Sequence, residues 1–351
     1  MKLNKFFMLG MVGLAFAACS NEEEVGNNLS GNGVVEVKIV APSTKSLVDG
    51  TTGNNEDKVQ VTGEITVELT AGTGSQSTTI IADGKTHTVK FYGVKAPSLI
   101  EAYINDGKNK AKGTTNITDL QMLPANIPAY GSTGDFNLTG TVEEYNGKKY
   151  EMYEASVTMQ IPVARLEVSG IKHATHPVEG DPEEATCKYE TLTIDGIYLD
   201  KVKMTSESPA GDYAMPAGED GTPALPILGD VIVGSESFLT PSTVWPKEEG
   251  KVYAYNFYTG TMPILKIYFA DATAKDEDNP VSKPRYAVIK SYNGQENFNF
   301  QAGHIYRIKD VTLKDKNIIG DEEGNPLYGV DVTVVEAQWT ITDITGEWVE
   351  Q

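Results

Sequence analysis

The chain reads as all-β, organised as two tandem β-sandwich domains. Three observations predict this. Almost every apolar segment alternates with period two, the pattern of half-buried strands. Turn pairs such as Asp83-Gly84 and Asp106-Gly107 separate the segments and favour hairpins. No stretch sustains the 3.6-residue repeat of an amphipathic helix. With 351 residues there is room for two cores. The expected divisions are 1–18 as a leader, 19–45 as a removable head, 46–152 as the first sandwich and 153–351 as the second.

The head justifies its own division. Lys2 and Lys5 precede the apolar run Phe6 to Ala18, which is too short for a stable membrane anchor and ends in small residues. It reads as a secretory signal peptide. Ala15-Phe16-Ala17-Ala18-Cys19 looks like a bacterial lipobox, in which Cys19 becomes the acylated first residue. Each buried acyl CH₂ contributes about 0.8 kcal/mol, so several chains hold firmly where one is marginal. Ser20-Asn21-Glu22-Glu23-Glu24 has two readings. One is a solvated spacer. The other is similar to the signal that sends lipoproteins of some anaerobic gut and oral bacteria to the outer face of the outer membrane.

A Gly/Asn linker, Gly26 to Gly33, leads to a strand at Val34 to Ala41, with Val35, Val37, Ile39 and Ala41 on one face. Pro42 ends it, and Ser43-Thr44-Lys45-Ser46 reads as a polar loop. Lys38 and Lys45 are the basic residues between Cys19 and Asp57. Lys38 lies inside the strand, so a trypsin-like protease has one natural cut, between Lys45 and Ser46. That cut frees the lipid and the first strand together.

Further strands are expected at Val59–Leu69, Thr78–Ile81, Thr86–Tyr92 and Ser98–Ile104, with a short helix around Asn116–Leu123. Tyr150–Gly170 opens the second half. Val157, Met159, Ile161 and Val163 share a face before the phase shifts to Leu166 and Val168, which predicts a bulge near Ala164-Arg165. Tyr189–Ile194, Ile197–Met204, Asp230–Val233, Val252–Tyr258 and Ile264–Phe269 follow, with Ser206 to Gly229 as a long surface loop. Arg285–Tyr292, Asn297–Phe300, His304–Ile308 and Val311–Leu313 complete the body. In the tail, Val330, Val332 and Val334 alternate, then Val335, Ala337, Trp339 and Ile341 do so in a new phase. This predicts two short strands or one bulged strand.

Composition narrows the function. A net charge of −20 and a pI near 4.6 argue against nucleic acid and anionic membrane surfaces. Of the two cysteines, Cys19 is assigned to lipid, so Cys187 has no disulfide partner and the fold must stand on packing. No later stretch is long and apolar enough for a transmembrane helix, which leaves the lipid as the membrane contact.

Several constellations tempt and fail. His173-x-x-His176 with Cys187 lacks the paired spacing and fourth ligand of a zinc site. The acidic run from Asp271 to Asn279 lacks the glycine and final glutamate of an EF-hand, and reads as a hairpin turn. Trp245 with Tyr253, Tyr255 and Phe257 has the spacing of a sugar-stacking platform, but a sandwich core requires the same spacing. No Gly-x-Ser-x-Gly, no phosphate loop and no convincing catalytic carboxylate pair appears. An enzyme, a metal and a cofactor are therefore not expected.

The order of lipobox, short first strand, basic cut site and two all-β halves resembles the fimbrillin (type V pilin, major fimbrial subunit) family of anaerobic Gram-negative bacteria. Pro162-Val163-Ala164-Arg165-Leu166-Glu167-Val168 resembles the segment opening that family's second domain. Ala302-Gly303-His304-Ile305-Tyr306-Arg307-Ile308 resembles its late Gly-x-x-Tyr-Arg strand, and the valine-rich tail with Trp339 resembles its last strands. The resemblance implies transthyretin-like, Greek-key sandwiches and export to the outer membrane as a lipoprotein. It also implies removal of the lipid-bearing end and first strand by a protease that in this family usually prefers arginine, where this chain has Lys45. The C-terminal strand of a neighbouring subunit then fills the vacated groove. Donor candidates are Val332, Val334, Val335, Ala337, Trp339 and Ile341.

The partners expected on this reading are other subunits of an adhesive surface fibre, the protease, and the outer membrane before processing. The alternatives are a glycan-binding surface lipoprotein that keeps its lipid, or an anchor or tip subunit of the same fibre.

Overall fold

The structure is a computed structural model that describes residues 22–25, 31–41, 63–72, 74–82, 86–104, 115–121, 127–174, 189–211, 228–232, 234–240, 243–247, 251–274, 285–308, 311–313, 330–332 and 334–338. Cys19, Lys45, Ser46, His176, Cys187, Trp339 and Ile341 lie outside these residues, as does most of the acidic run after Asp271. Regular structure among the described residues is all strand, apart from 3-10 turns at Ile117–Leu120 and Gly234–Ser237. The expected helix around Asn116–Leu123 is the first of these turns, capped by Asn116, whose side chain accepts from the Thr118 N–H. Among the described residues no helix is long and apolar enough to cross a membrane.

The first half contains β1 (Glu22–Val25), β2 (Gly33–Val40), β3 (Gly63–Ala71), β4 (Gly74–Ala82), β5 (Thr86–Val94), β6 (Pro97–Ile104), β7 (Ala129–Thr133), β8 (Asn137–Tyr145) and β9 (Lys148–Thr158). They form two sheets, ordered β1-β5-β2-β9-β8 and β4-β3-β6-β7. Alternation does what period two requires. Ile65, Val67 and Leu69 of β3 are buried, with half-buried polar residues between them. They join Val35, Val37 and Ile39 of β2, Val89 and Phe91 of β5, and Ile100, Ala102 and Ile104 of β6 in one buried cluster. The layering is sandwich-like.

The second half contains β10 (Val163–Val168), β11 (Ile171–His173), β12 (Tyr189–Asp200), β13 (Val202–Lys203), β14 (Ala210–Gly211), β15 (Gly229–Val231), β16 (Phe238–Leu239) and β17 (Val244–Trp245). β18 (Tyr253–Tyr258), β19 (Ile264–Ala274), β20 (Arg285–Tyr292), β21 (His304–Ile308), β22 (Val311–Leu313), β23 (Val330–Val332) and β24 (Val334–Gln338) complete it. The larger sheets run β18-β10-β21-β24 and β15-β12-β19-β20-β23, the second with β16 also on β12. β17-β11-β22 and β13-β14 are smaller. Sheet membership changes between Thr158 and Val163, and residue 152 lies inside β9.

Four expectations differ from what is found. There is no bulge near Ala164-Arg165: β9 ends at Thr158, and β10 starts in another sheet. All six β10 residues are buried, so both of its faces carry packing and the phase change marked a change of sheet. Tyr189–Ile194 and the start of the next segment are one strand, β12, whose pairing with β19 shifts register around Thr193 to Gly196. Asn297–Phe300 is not a strand; its Phe298 and Phe300 instead pack edge-on in an aromatic cluster with Tyr292 and Tyr306. β8 was not anticipated, because it is a sheet edge with Leu138 and Val142 exposed and so shows no buried face in its sequence.

Candidate functional site

β2 is the central strand of its sheet. It runs antiparallel to β5, with Val34 opposite Tyr92 and Val40 opposite Thr86. It runs parallel to β9 along its whole length, from Gly33 with Glu151 to Val40 with Thr158. Further backbone bonds pin both ends: Gly31 N–H to Gly93 O at 2.8 Å, Glu151 N–H to Asn32 O at 2.8 Å and Met159 N–H to Val40 O at 3.0 Å. Gly31 is not slack linker, since a Cβ there would stand 2.0 Å from Val94 O. Side chains are excluded because the backbones touch.

Val35, Val37 and Ile39 have no exposed surface, and Ala41 is buried beside them. Burial of the three larger side chains contributes on the order of 5–9 kcal/mol. On the other face Val34 is fully buried with Tyr92 and Tyr150. Tyr92 stacks on Tyr145 with ring centroids 4.0 Å apart. Next along that face, Lys90 Nζ lies 3.3 Å from Glu36 and 3.5 Å from Glu143, and the Tyr92 hydroxyl donates to Glu143 at 2.6 Å. Beyond this an open cleft of about 630 Å³ is lined by Glu36, Lys38, Asp135, Asn137, Glu154 and Ser156 among others. The slot that β2 fills is thus apolar within, aromatic at one end outside, and charged in the middle.

The acidic run ahead of β2 is more than a spacer. Glu22–Val25 forms β1, parallel to β5 with Glu22 opposite Thr88. β1 and β2 therefore occupy both edges of β5.

The tail forms two short strands. β23 pairs parallel with β20, Val332 opposite Tyr292. β24 pairs antiparallel with β21, placing Val334 opposite Ile308, Val335 opposite Arg307 and Ala337 opposite Ile305. Each ends the strand order of its sheet. The donor candidates in the described residues are thus at sheet edges with one neighbour, whereas β2 has two.

Other candidates fall elsewhere. Trp245 is fully buried and stacks on Tyr253 at 4.7 Å and 3°, and Tyr255 and Phe257 are buried too. This ladder is core and offers no face to a sugar. His173 is buried in β11. No group of three or more His, Cys, Asp or Glu positioned to hold a metal occurs among the described residues.

Two features escaped sequence reasoning. Arg165, Glu167 and Arg307 meet in one buried ion cluster; only their presence among three arginines in the chain hinted at it. The 3-10 turn of the first half docks on β18. Gln121 Nε2 donates to Asn256 O at 2.6 Å, and Asn256 Nδ2 donates to Leu120 O at 2.8 Å.

No family model matches the chain, and no curated protein matches it in sequence. Solved structures do match in fold. A fimbrilin from Porphyromonas gingivalis superposes with a TM-score of 0.52 at 14% identity, covering 88% of this chain and 98% of that one. A candidate cell adhesion protein from Bacteroides eggerthii gives 0.51 at 16% identity, covering 90% and 98%. Another from Parabacteroides distasonis gives 0.51 at 11%, covering 89% and 98%. The chain shares its fold with these proteins along nearly its full length.

Proposed function

We propose that the chain is a non-catalytic structural subunit of an adhesive fibre on the bacterial surface. It is exported as a lipoprotein on Cys19, cut between Lys45 and Ser46, and polymerised by strand exchange. On this reading the fold is two transthyretin-like, Greek-key sandwiches, and the outer membrane holds the precursor through its lipid. The likeness in fold to a fimbrilin supports the reading. The observation that carries it is the placement of β2: the strand just ahead of Lys45 is the central strand of its sheet.

A cut at Lys45 severs β1 and β2 from the rest of the chain. Loss of that fragment leaves the edges of β5 and β9 unpaired above an apolar slot, a template for strand addition. A tail from a neighbour fills it head-to-tail, a contact that does not close on itself and so grows a filament. Intact mass of the protein recovered from the cell surface tests this. A chain beginning at Ser46 and running as a polymer is the expected outcome. A chain still beginning at acylated Cys19 in mature fibres counts against it.

A further inference from the structure

The slot and the tail carry matching sequences. β2 and the residue after it read Val34-Val35-Glu36-Val37-Lys38-Ile39-Val40-Ala41, and the tail reads Val334-Val335-Glu336-Ala337-Gln338-Trp339-Thr340-Ile341. The first three residues are identical, and every inward position of β2 meets an apolar residue of the tail. We infer that the tail of a second copy enters the slot in β2's own direction and register, with Val334 taking the place of Val34 and Ile341 that of Ala41. This rests on the strand-exchange reading and specifies its geometry.

Three of the four outward positions support this register, and the fourth sets Gln338 in place of Lys38. Val34 is fully buried among Tyr92, Tyr150 and Tyr145, and Val334 restores the same side chain there. Glu36 lies 3.3 Å from Lys90, and Glu336 restores the same carboxylate. Val40 is replaced by Thr340, which is also β-branched and suited to a strand. Inside, Ala337 is smaller than Val37, while Trp339 and Ile341 exceed Ile39 and Ala41, so a large residue sits beside a small one.

Competing placements are worse. A two-residue slip that sets Ala337 at the Val35 position puts Glu336 into the tyrosine pocket and Asp343 into the core. The opposite slip sets Thr333 at the inward Val35 position and Val334 in place of Glu36 beside Lys90, and a one-residue slip in either direction buries Glu336 inside. A buried, unpaired carboxylate is strongly unfavourable. A reversed strand keeps apolar residues inward, but it sets Thr342 among the tyrosines and Thr340 opposite Lys90, losing both matches. In the inferred placement the donor lies antiparallel to β5 and parallel to β9, as β2 does.

Disulfide trapping distinguishes these geometries. In a Cys187→Ser background, Thr340→Cys on the donor is combined with one acceptor cysteine on β5: Thr86→Cys, Thr88→Cys or Lys90→Cys. These β5 positions face Val40, Lys38 and Glu36, all on one face and equivalent in the ladder. Precursor cut after Lys45 is allowed to polymerise and is then oxidised. The inferred register gives covalent ladders with Thr86→Cys and not with the others. Preferential ladders with Thr88→Cys mean a slip and with Lys90→Cys a reversed strand, and either overturns the inference while strand exchange stands. Polymers that cross-link at none of the three also overturn it. Cut precursor that forms no polymer defeats the strand-exchange reading itself.

Discussion

Glu167 of β10 and Arg307 of β21 stand opposite each other across a parallel strand pair. Arg307 Nε donates to Glu167 Oε2 at 2.8 Å, and Arg165 Nε donates to Oε1 of the same carboxylate at 3.0 Å. All three side chains are about 2–4% exposed. One carboxylate thus holds two guanidiniums from segments 140 residues apart and ties the strand that opens the second half to a late one.

Removal of that carboxylate takes a shared anion from two buried cations. Breaking a buried ion pair by deleting one partner typically costs about 3–5 kcal/mol. Glu167→Gln is therefore expected to lose roughly that much in chemical denaturation, with little change in the denaturant slope. An exposed control on β8, Glu144→Gln, should stay within about 0.5 kcal/mol. A Glu167→Gln loss under about 1 kcal/mol would mean that the cluster is not holding the two segments together.

Asp230 and Tyr255 set a pH dependence. The tyrosine hydroxyl donates to Asp230 Oδ2 at 2.6 Å. Desolvation nonetheless raises the Asp230 pKa from its usual 3.8, against the lowering effects of the Tyr255 hydrogen bond and nearby Lys251. A raised carboxylate pKa means the folded state binds the proton more tightly than the unfolded state. Stability from this group therefore falls as pH rises from about 3.8 through the folded value, and the penalty is constant above it. Asp230→Asn keeps an acceptor for Tyr255 without the charge. It should match or exceed the parent in stability at neutral pH, and this advantage should shrink as pH is lowered towards 3.8 in paired denaturation curves. An advantage that grows on acidification would contradict this account.

The strands with one buried face were the legible part of the fold. Ile65, Val67 and Leu69, or Val35, Val37 and Ile39, announce their strands because one side meets core and the other does not. Legibility failed where that contrast is missing. β10 is buried on both faces, so its phase shift looked like a bulge. β8 at a sheet edge is exposed on both, so it left no pattern. Phe298 and Phe300 alternate as a strand would, yet they fill a ring cluster from a loop. The slot was legible only in part. The inward face of β2 can be read from alternation, but its having a neighbour on each side depends on pairings with β5 and β9 that are set by the whole sheet.

Gln121 makes two of the hydrogen bonds between the halves. Its side chain donates to Asn256 O and accepts from Asn256 N–H at 2.9 Å, taking both backbone groups of one β18 residue. Gln121→Ala leaves that pair without these partners and should cost about 1–3 kcal/mol. Tyr258 adds a bond from its hydroxyl to Thr115 O at 2.9 Å. Double substitution with Tyr258→Phe should be non-additive if the turn docks as a unit. Additive losses would show two independent contacts.

Side-chain changes at the two ends should have opposite consequences. Val37→Asp buries a carboxylate in the first-half core and should cost several kcal/mol, leaving little folded precursor. Trp339→Asp, checked as folded by circular dichroism, should fail to polymerise after cleavage. Wild-type polymerisation by Trp339→Asp would remove the tail from the donor role.

On the proposed strand-exchange reading, cleavage is the step that makes exchange possible. While the chain is intact, β2 competes for its slot as a tethered segment at an effective concentration on the order of millimolar, far above that of tails from other copies at micromolar protein. β24 has one neighbouring strand at its own sheet edge and gains two in the slot, but that gain cannot overcome a covalently held rival. After a cut at Lys45 the fragment is free to diffuse away, and the balance turns to the tail. Lys45→Ala precursor treated with a lysine-specific protease under native conditions should therefore remain monomeric by light scattering, while the parent forms a ladder. Polymerisation of intact Lys45→Ala chains at micromolar concentration would mean that β2 leaves its slot without being severed, and that the inner position of the strand does not protect it.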